Sequence, residues 1–150
     1  TRQYIPIEYR SNMGNSIYGC DICQLVCPKN KHVLELDSNF DYSELSIKIE
    51  DLITISNKQF NIKYGHTSGS WRGKNVWKRN AIIAAANLEC TELKTLISDE
   101  LDNPSDMIKI YSAWALLKLD KKYGKEILKN KLKYVENNIK KEYEFLLEKL

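Results

Sequence analysis

Three thiols lie within eight residues, in the run Cys20-Asp21-Ile22-Cys23-Gln24-Leu25-Val26-Cys27-Pro28. Thiolates are soft donors, and thiolates spaced this closely favour iron–sulfur clusters or zinc. In a chain without a secretory signal the cluster reads as metal-binding rather than disulfide-forming. The proline after the last cysteine points to iron and sulfur. Two-cluster bacterial ferredoxins carry C-x2-C-x2-C-x3-C-P, in which the cysteine before proline ligates the other cluster. The last three members of that motif match here; a first cysteine moved upstream would be expected before Thr1. The order is the reverse of the C-x3-C-x2-C of radical enzymes that use S-adenosylmethionine. A zinc site would recruit His32 as a fourth ligand, and three free thiols are the remaining alternative. Cys90 reads as a small core residue at the end of a predicted helix.

The second chemical feature is charge in blocks. Residues 35–51 carry six acids and one Lys, and residues 89–106 again carry six acids and one Lys. Between them, residues 52–88 carry Lys58, Lys63, Arg72, Lys74, Lys78 and Arg79 with no acid at all. The tail 121–150 has nine Lys against five Glu. Such blocks can aim one surface at a polyanion. The acid-free stretch also contains Trp71 and Trp77, and aromatics among Lys and Arg suit stacking on bases beside phosphate contacts. A solvated helix face is the simpler reading of any one Lys run, and Trp77, at helical spacing before Ala81 and Ala84, reads as core.

The elements that must position these residues are helical. Residues 1–34 hold two of the three prolines and show no sustained helical period; residues 21–26 are predicted to form one short turn between the cysteines. Leu45, Ile49, Leu52 and Ile53 fall on one helical face. Ser56 is a predicted N-cap for residues 57–64. Gly65, Gly69 and Gly73 mark a loop, and residues 74–88 form a strong predicted helix through Ala81-Ile-Ile-Ala-Ala-Ala86. Thr91 opens another helix, Asn103-Pro104-Ser105 is a stop and restart, residues 106–119 are helical, and so is most of residues 125–150. Gly124 and Asn137-Asn138 are the predicted breaks in that tail. Ala84-Ala85-Ala86-Asn87-Leu88 aligns with Ala115-Leu116-Leu117-Lys118-Leu119 at an offset of 31, each followed by a second helix. Helix pairs at that period suggest an α-solenoid fragment; two similar hairpins in an ordinary bundle are the alternative.

Composition bounds the rest. A chain of 150 residues, 43% hydrophobic with three Trp, builds one ordinary domain or a domain plus an appendage. The net charge of +3 is too mild to imply a nucleic-acid partner on its own. No run of about 18 apolar residues is present to span a membrane. The first 30 residues lack the apolar core of a signal peptide, so a cytoplasmic protein is expected. The chain begins with Thr1 rather than Met, which leads us to expect a piece of a longer chain.

The stretch Ile5-Pro6-x-Glu8-x-Arg10-x-x-Met13-Gly14-Asn15-x-Ile17-Tyr18-Gly19-Cys20-Asp21-x-Cys23-Gln24-x-Val26-Cys27-Pro28-x-Asn30 resembles the second cluster segment of epoxyqueuosine reductases, iron–sulfur and cobalamin-dependent enzymes of tRNA modification. Downstream, Phe60, Tyr64, Thr67, Arg72, Gly73, Lys74 and Arg79-Asn80 fall in that family's order. Ala113-Trp114-Ala115-Leu116 looks like the Ala-Ala-Trp-Ala-Leu helix of its HEAT-like repeat. The resemblance implies an all-α fold: a partial ferredoxin-like [4Fe-4S] segment over residues 1–34, then a HEAT-like helical repeat domain over residues 35–150.

It also implies roles. Cys20 and Cys23 would bind one [4Fe-4S] cluster and Cys27 the other. The clusters would pass electrons to cobalamin, whose reduced cobalt removes the epoxide oxygen of epoxyqueuosine to give queuosine in tRNA. The remaining ligands, the cobalamin pocket and the proton donor would lie in a missing N-terminal catalytic portion. The piece alone is thus expected to be inactive, and a monomer. Its helical part would hold the tRNA, with Arg72, Lys74, Lys78 and Arg79 as phosphate contacts and Lys63 behind them. Arg79 has a structural alternative, bonding carbonyls of the preceding loop. His66 is either a substrate contact or simply exposed.

Overall fold

The computed structural model describes residues 4–30 and 47–150. The described residues are helical throughout, without a strand: α1 (Ile7–Arg10), α2 (Ile22–Leu25), α3 (Ile49–Thr54), α4 (Asn57–Tyr64), α5 (Lys74–Asn87), α6 (Lys94–Asp99), α7 (Asp106–Leu119), α8 (Lys121–Lys131) and α9 (Asn137–Lys149), with short 3-10 turns between them. Among them no helix is long and apolar enough to cross a membrane.

Local chemistry sets the boundaries. Ser56 caps α4 through a full capping box: its hydroxyl accepts from the Gln59 amide at 3.2 Å, and the Gln59 side chain accepts from the Ser56 amide at 3.1 Å. Asp120 starts α8 by accepting from the Tyr123 amide at 3.0 Å, and its carboxylate takes the Lys94 ammonium at 2.7 Å. Both hydrogen bonds favour the ionised form and hold the Asp120 carboxyl below its ordinary range, the Lys94 bond most strongly.

Helix α7 is the central element. Ile108 and every residue from Ile110 to Leu117 are buried, so it is covered on all sides, as its nearly continuous apolar sequence requires. It packs against α5, α6, α8 and α9. Helices α8 and α9 each bury a single stripe, Gly124 with Leu128, and Ile139 with Tyr143 and Leu146. The first residues of α5 and α7, 74 and 106, stand 32 positions apart, both helices have 14 residues, and each is followed by a second helix. The two helix pairs in succession match the internal echo of the sequence.

Gly124 does not break the tail. It lies inside α8, where a Cβ would stand 2.9 Å from the Leu116 carbonyl carbon and the Leu117 nitrogen. The absent side chain lets α8 cross the backbone of α7, a packing reason invisible to propensity. The break falls instead at residues 132–136, just ahead of Asn137.

The amino-terminal segment lies across α5 and α7, held by side chains that bind its backbone. The Ile5 amide donates to the Tyr111 hydroxyl at 2.5 Å. The Arg10 guanidinium sits 4.4 Å over the Tyr111 ring and 5.8 Å from the Trp114 ring, while its Nε donates to the Ile5 carbonyl at 3.0 Å. Burial pulls the Arg10 pKa down, and the neighbouring Tyr111 and Glu142 oppose that shift. The Asn87 amide group donates to the carbonyls of Arg10 and Gly14, and its oxygen accepts from Lys118 at 2.6 Å.

Candidate cysteine and basic site

The cysteine segment is a tight local structure. Gly19 has φ of +70°, a conformation that favours glycine, and delivers the chain to Cys20. The turn of α2 separates Cys20 from Cys27, and Asn30 closes it by donating from Nδ2 to the Gln24 carbonyl at 3.1 Å. Cys20 and Cys23 are exposed, Cys27 is half-buried, and none is in a disulfide. Ile22, Leu25 and Val26 beside them are 62–70% exposed, so the thiols stand among uncovered apolar side chains. Exposed thiols in an apolar shell fit the donor chemistry of iron–sulfur ligation. Among the described residues no three His, Cys, Asp or Glu side chains gather as a metal site, so the thiols do not converge on one ion. His32 lies outside the described residues.

One cavity of about 380 Å³ ties the cysteine segment to the basic stretch. Cys20, Gly19, Tyr18 and Asn12 line it from one side of the chain; Arg72, Arg79 and Asn80 line it from the other. Cys23, Cys27 and Lys74 are not in its wall. Arg72 is half-exposed, its guanidinium 3.9 Å over the exposed ring of Trp71. Lys74, at the first turn of α5, is half-exposed as well.

Two of the basic candidates, Lys78 and Arg79, are interior groups in this structure. Lys78 is 4% exposed, and its ammonium meets the Glu100 carboxylate at 2.7 Å. Arg79 is 1% exposed; its Nε donates to Asn80 Oδ1 at 3.0 Å and its guanidinium lies 5.7 Å from the centre of the Tyr111 ring. Burial lowers the Arg79 pKa and Arg72 adds repulsion, while Tyr111 works the other way. Lys63 is exposed but apart from the cavity: it pairs with Asp51 at 3.5 Å and lines a separate groove on α3 and α4. His66 is exposed in the glycine loop. Cys90 is half-buried behind α5, and burial beside Glu92 pushes its thiol pKa up.

Residues to which the sequence reading gave no place in the site organise it. Asn80 Nδ2 donates to the Ile17 carbonyl at 2.6 Å, and Tyr18 stacks on Trp77 with ring centres 5.5 Å apart. The available signal was the spacing of Trp77, Asn80 and Asn87, which puts three polar-tipped side chains on one face of α5.

No family model matches the chain. It is 43% identical over 123 residues to the epoxyqueuosine reductase of Bacillus cereus, an alignment that covers 79% of this chain and 32% of that protein. It is 39% identical over 134 residues to that of Bacillus subtilis, covering 86% and 35%. The chain therefore spans about a third of the length of these curated relatives. Among solved structures, an epoxyqueuosine reductase from Bacillus subtilis superposes with a TM-score of 0.86 at 36% identity, over 100% of this chain and 42% of that one. Another, crystallised with an epoxyqueuosine-modified tRNA-Tyr stem loop, gives 0.86 at 35% identity, over 99% and 41%. In sequence and in fold, this chain matches the carboxy-terminal part of the epoxyqueuosine reductases.

Proposed function

We propose that the chain supplies cluster ligands and an RNA-holding surface to an epoxyqueuosine reductase, an oxidoreductase that reduces epoxyqueuosine in tRNA to queuosine. In this reading residues 1–34 are a partial ferredoxin-like segment and residues 35–150 a HEAT-like repeat domain, in a cytoplasmic monomer. Cobalamin and the remaining cluster ligands belong to the rest of the reductase. The observation that carries the reading is the shared cavity, lined by both Cys20 and Arg72. A thiol and a cation that can take a phosphate thus border one space.

Cys20 and Cys23, one turn apart across α2, hold one [4Fe-4S] cluster, and Cys27 reaches the other. Bound clusters supply single electrons at a potential that burial and nearby hydrogen bonds adjust. Ile22, Leu25 and Val26 keep water from the thiolates once a neighbouring surface covers them. On the RNA side, Arg72 and Lys74 contact the backbone, and Trp71 stiffens Arg72 by stacking on its guanidinium. Lys63 is an outlying contact; Lys78 and Arg79 support the surface from beneath.

The test is anaerobic preparation of the reductase that contains this chain, with iron and sulfide determination, followed by titration with an anticodon stem-loop RNA at several salt concentrations. A brown protein that loses iron when Cys20, Cys23 and Cys27 become Ser, and RNA affinity that falls with salt, support the proposal. A colourless protein holding zinc in stoichiometric amount overturns it.

A further inference from the structure

The cavity that joins Cys20 to Arg72 is bounded by two separate pieces of chain, the cysteine segment and the glycine loop. Neither has a regular element of any length to hold it there. Gly69 precedes Arg72 by three residues, and Tyr18 precedes Cys20 by two. At about 3.3–3.6 Å of reach per residue, fixing Gly69 and Tyr18 confines the Cα atoms of Arg72 and Cys20 to within roughly 10 Å of those anchors.

Three side chains do this fixing. Trp77 lies at the junction: its Nε1 donates to the Gly69 carbonyl at 3.1 Å, and its ring is stacked on Tyr18 at 5.5 Å with the planes 14° apart. The Tyr18 hydroxyl donates to the Ser68 carbonyl at 3.2 Å, so Tyr18 binds the loop directly as well. One turn further along α5, Asn80 Nδ2 donates to the Ile17 carbonyl at 2.6 Å. The space between these groups is full. A Cβ on Gly69 would stand 2.6 Å from Trp77 Cζ2 and 2.9 Å from Tyr18 Cδ2. On its other side Trp77 is wedged by Phe60 and Tyr64, with ring centres 5.5 and 5.0 Å away, which ties the junction to α4.

We propose that Tyr18, Trp77 and Asn80 are positioning residues that lock the glycine loop and the cysteine segment onto α5, so that Cys20 and Arg72 hold a constant separation across their common cavity. The lock is made from stacking, from backbone carbonyls and from one missing side chain. It therefore sets distance and angle without contributing a group to the chemistry. Its use in the reductase rests on the function proposed above. An RNA gripped at Arg72 is thereby presented to the Cys20 side in one register rather than several.

The test uses the 150-residue chain, first by hydrogen exchange and then by crosslinking. Tyr18→Ala and Gly69→Ala should each accelerate exchange at residues 17–20 and 67–70 by at least about tenfold. Residues 81–86 of α5 should remain as slow as before, which shows that the fold persists. Tyr18→Phe keeps the stack and should stay within about threefold of the unaltered chain. For crosslinking, Cys23, Cys27 and Cys90 are changed to Ser, a benzophenone is attached to Cys20, and an anticodon stem-loop RNA is bound. Crosslinks should concentrate on one or two nucleotides and spread over the loop in Tyr18→Ala, with RNA affinity changed by less than about threefold. Unchanged exchange in both alanine variants overturns the proposal, as does Tyr18→Phe behaving like Tyr18→Ala. If the chain binds no RNA, the presentation of RNA falls together with the function proposed above, while the exchange data alone decide whether the lock exists.

Discussion

Replacing Lys78 by Ala should destabilise the chain strongly and leave its RNA affinity to be judged only in a compensated variant. Lys78 is 4% exposed, and the Glu100 side chain 15%. Removing the ammonium leaves a nearly buried carboxylate whose one remaining side-chain donor is Asn103 Nδ2, at 2.6 Å. Breaking a buried pair from one side costs about 3–5 kcal/mol. The Asn103 bond and the residual exposure of Glu100 reduce this to roughly 2–4 kcal/mol, or about 5–15 °C in Tm for a chain of this size. Lys78→Met with Glu100→Leu removes both charges and should recover most of the loss, because well-packed apolar replacements of buried pairs are close to neutral. The assay is urea unfolding by circular dichroism for the single and double variants, followed by stem-loop RNA binding at several salt concentrations for the double variant. RNA affinity and its salt slope should match the unaltered chain. A loss under about 0.5 kcal/mol in Lys78→Ala, or a shallower salt slope in the folded double variant, would show that Lys78 faces solvent and RNA after all.

Arg72→Gln with Lys74→Gln should reduce the slope of log K against log salt by about 1.5, at roughly 0.7–0.9 per phosphate contact, while unfolding stays within about 0.5 kcal/mol. Gly124→Ala should destabilise by about 1–2 kcal/mol in a urea titration, since crowding of the α7 backbone outweighs the helix-propensity gain of roughly 1 kcal/mol; a more stable variant would contradict the close crossing. The Asp120 carboxyl is held low by Lys94, so its contribution is present above the ordinary Asp pKa and is lost as pH falls through the lowered value. Asp120→Asn should therefore flatten part of the stability decline between about pH 5 and pH 3, and parallel curves would count against the Lys94 link. Stripping iron with a chelator should leave the far-ultraviolet helical signal unchanged, because α5 and α7 bury no thiol.

Sequence reasoning did well where a feature is local. Helix α7 runs from Asp106 to Leu119 as its Asn-Pro-Ser boundary and apolar run required, and α5 starts at Lys74 directly after Gly73, whose φ is +82°. The short turn between Cys20 and Cys27 was legible because it is local, and α2 (Ile22–Leu25) forms within it. What was not legible depended on partners far along the chain. Lys78 was a candidate phosphate contact in an acid-free stretch, and its burial comes from Glu100, 22 residues on, which folds over it. Gly124 looked like a breaker because its reason for being glycine is a contact with α7 rather than a turn. The expected helix face at Leu45 lies outside the described residues, and α3 begins at Ile49. Asn80 was read only through the family's Arg-Asn order and Asn87 only as part of the internal echo, since the carbonyls they bind belong to a segment about 60–80 positions earlier.

Asn87 uses both amide donors and its oxygen on groups that all residue types possess or that lie on α7: two main-chain carbonyls and the Lys118 ammonium. The stretch from Ser11 to Ile17 is thus gripped by its peptide skeleton more than by the identity of its side chains. Homologous chains should tolerate wide drift at Asn12 and Ser16 while the grip stays intact, whereas a single proline or inserted residue there would displace the three thiols of the cysteine segment.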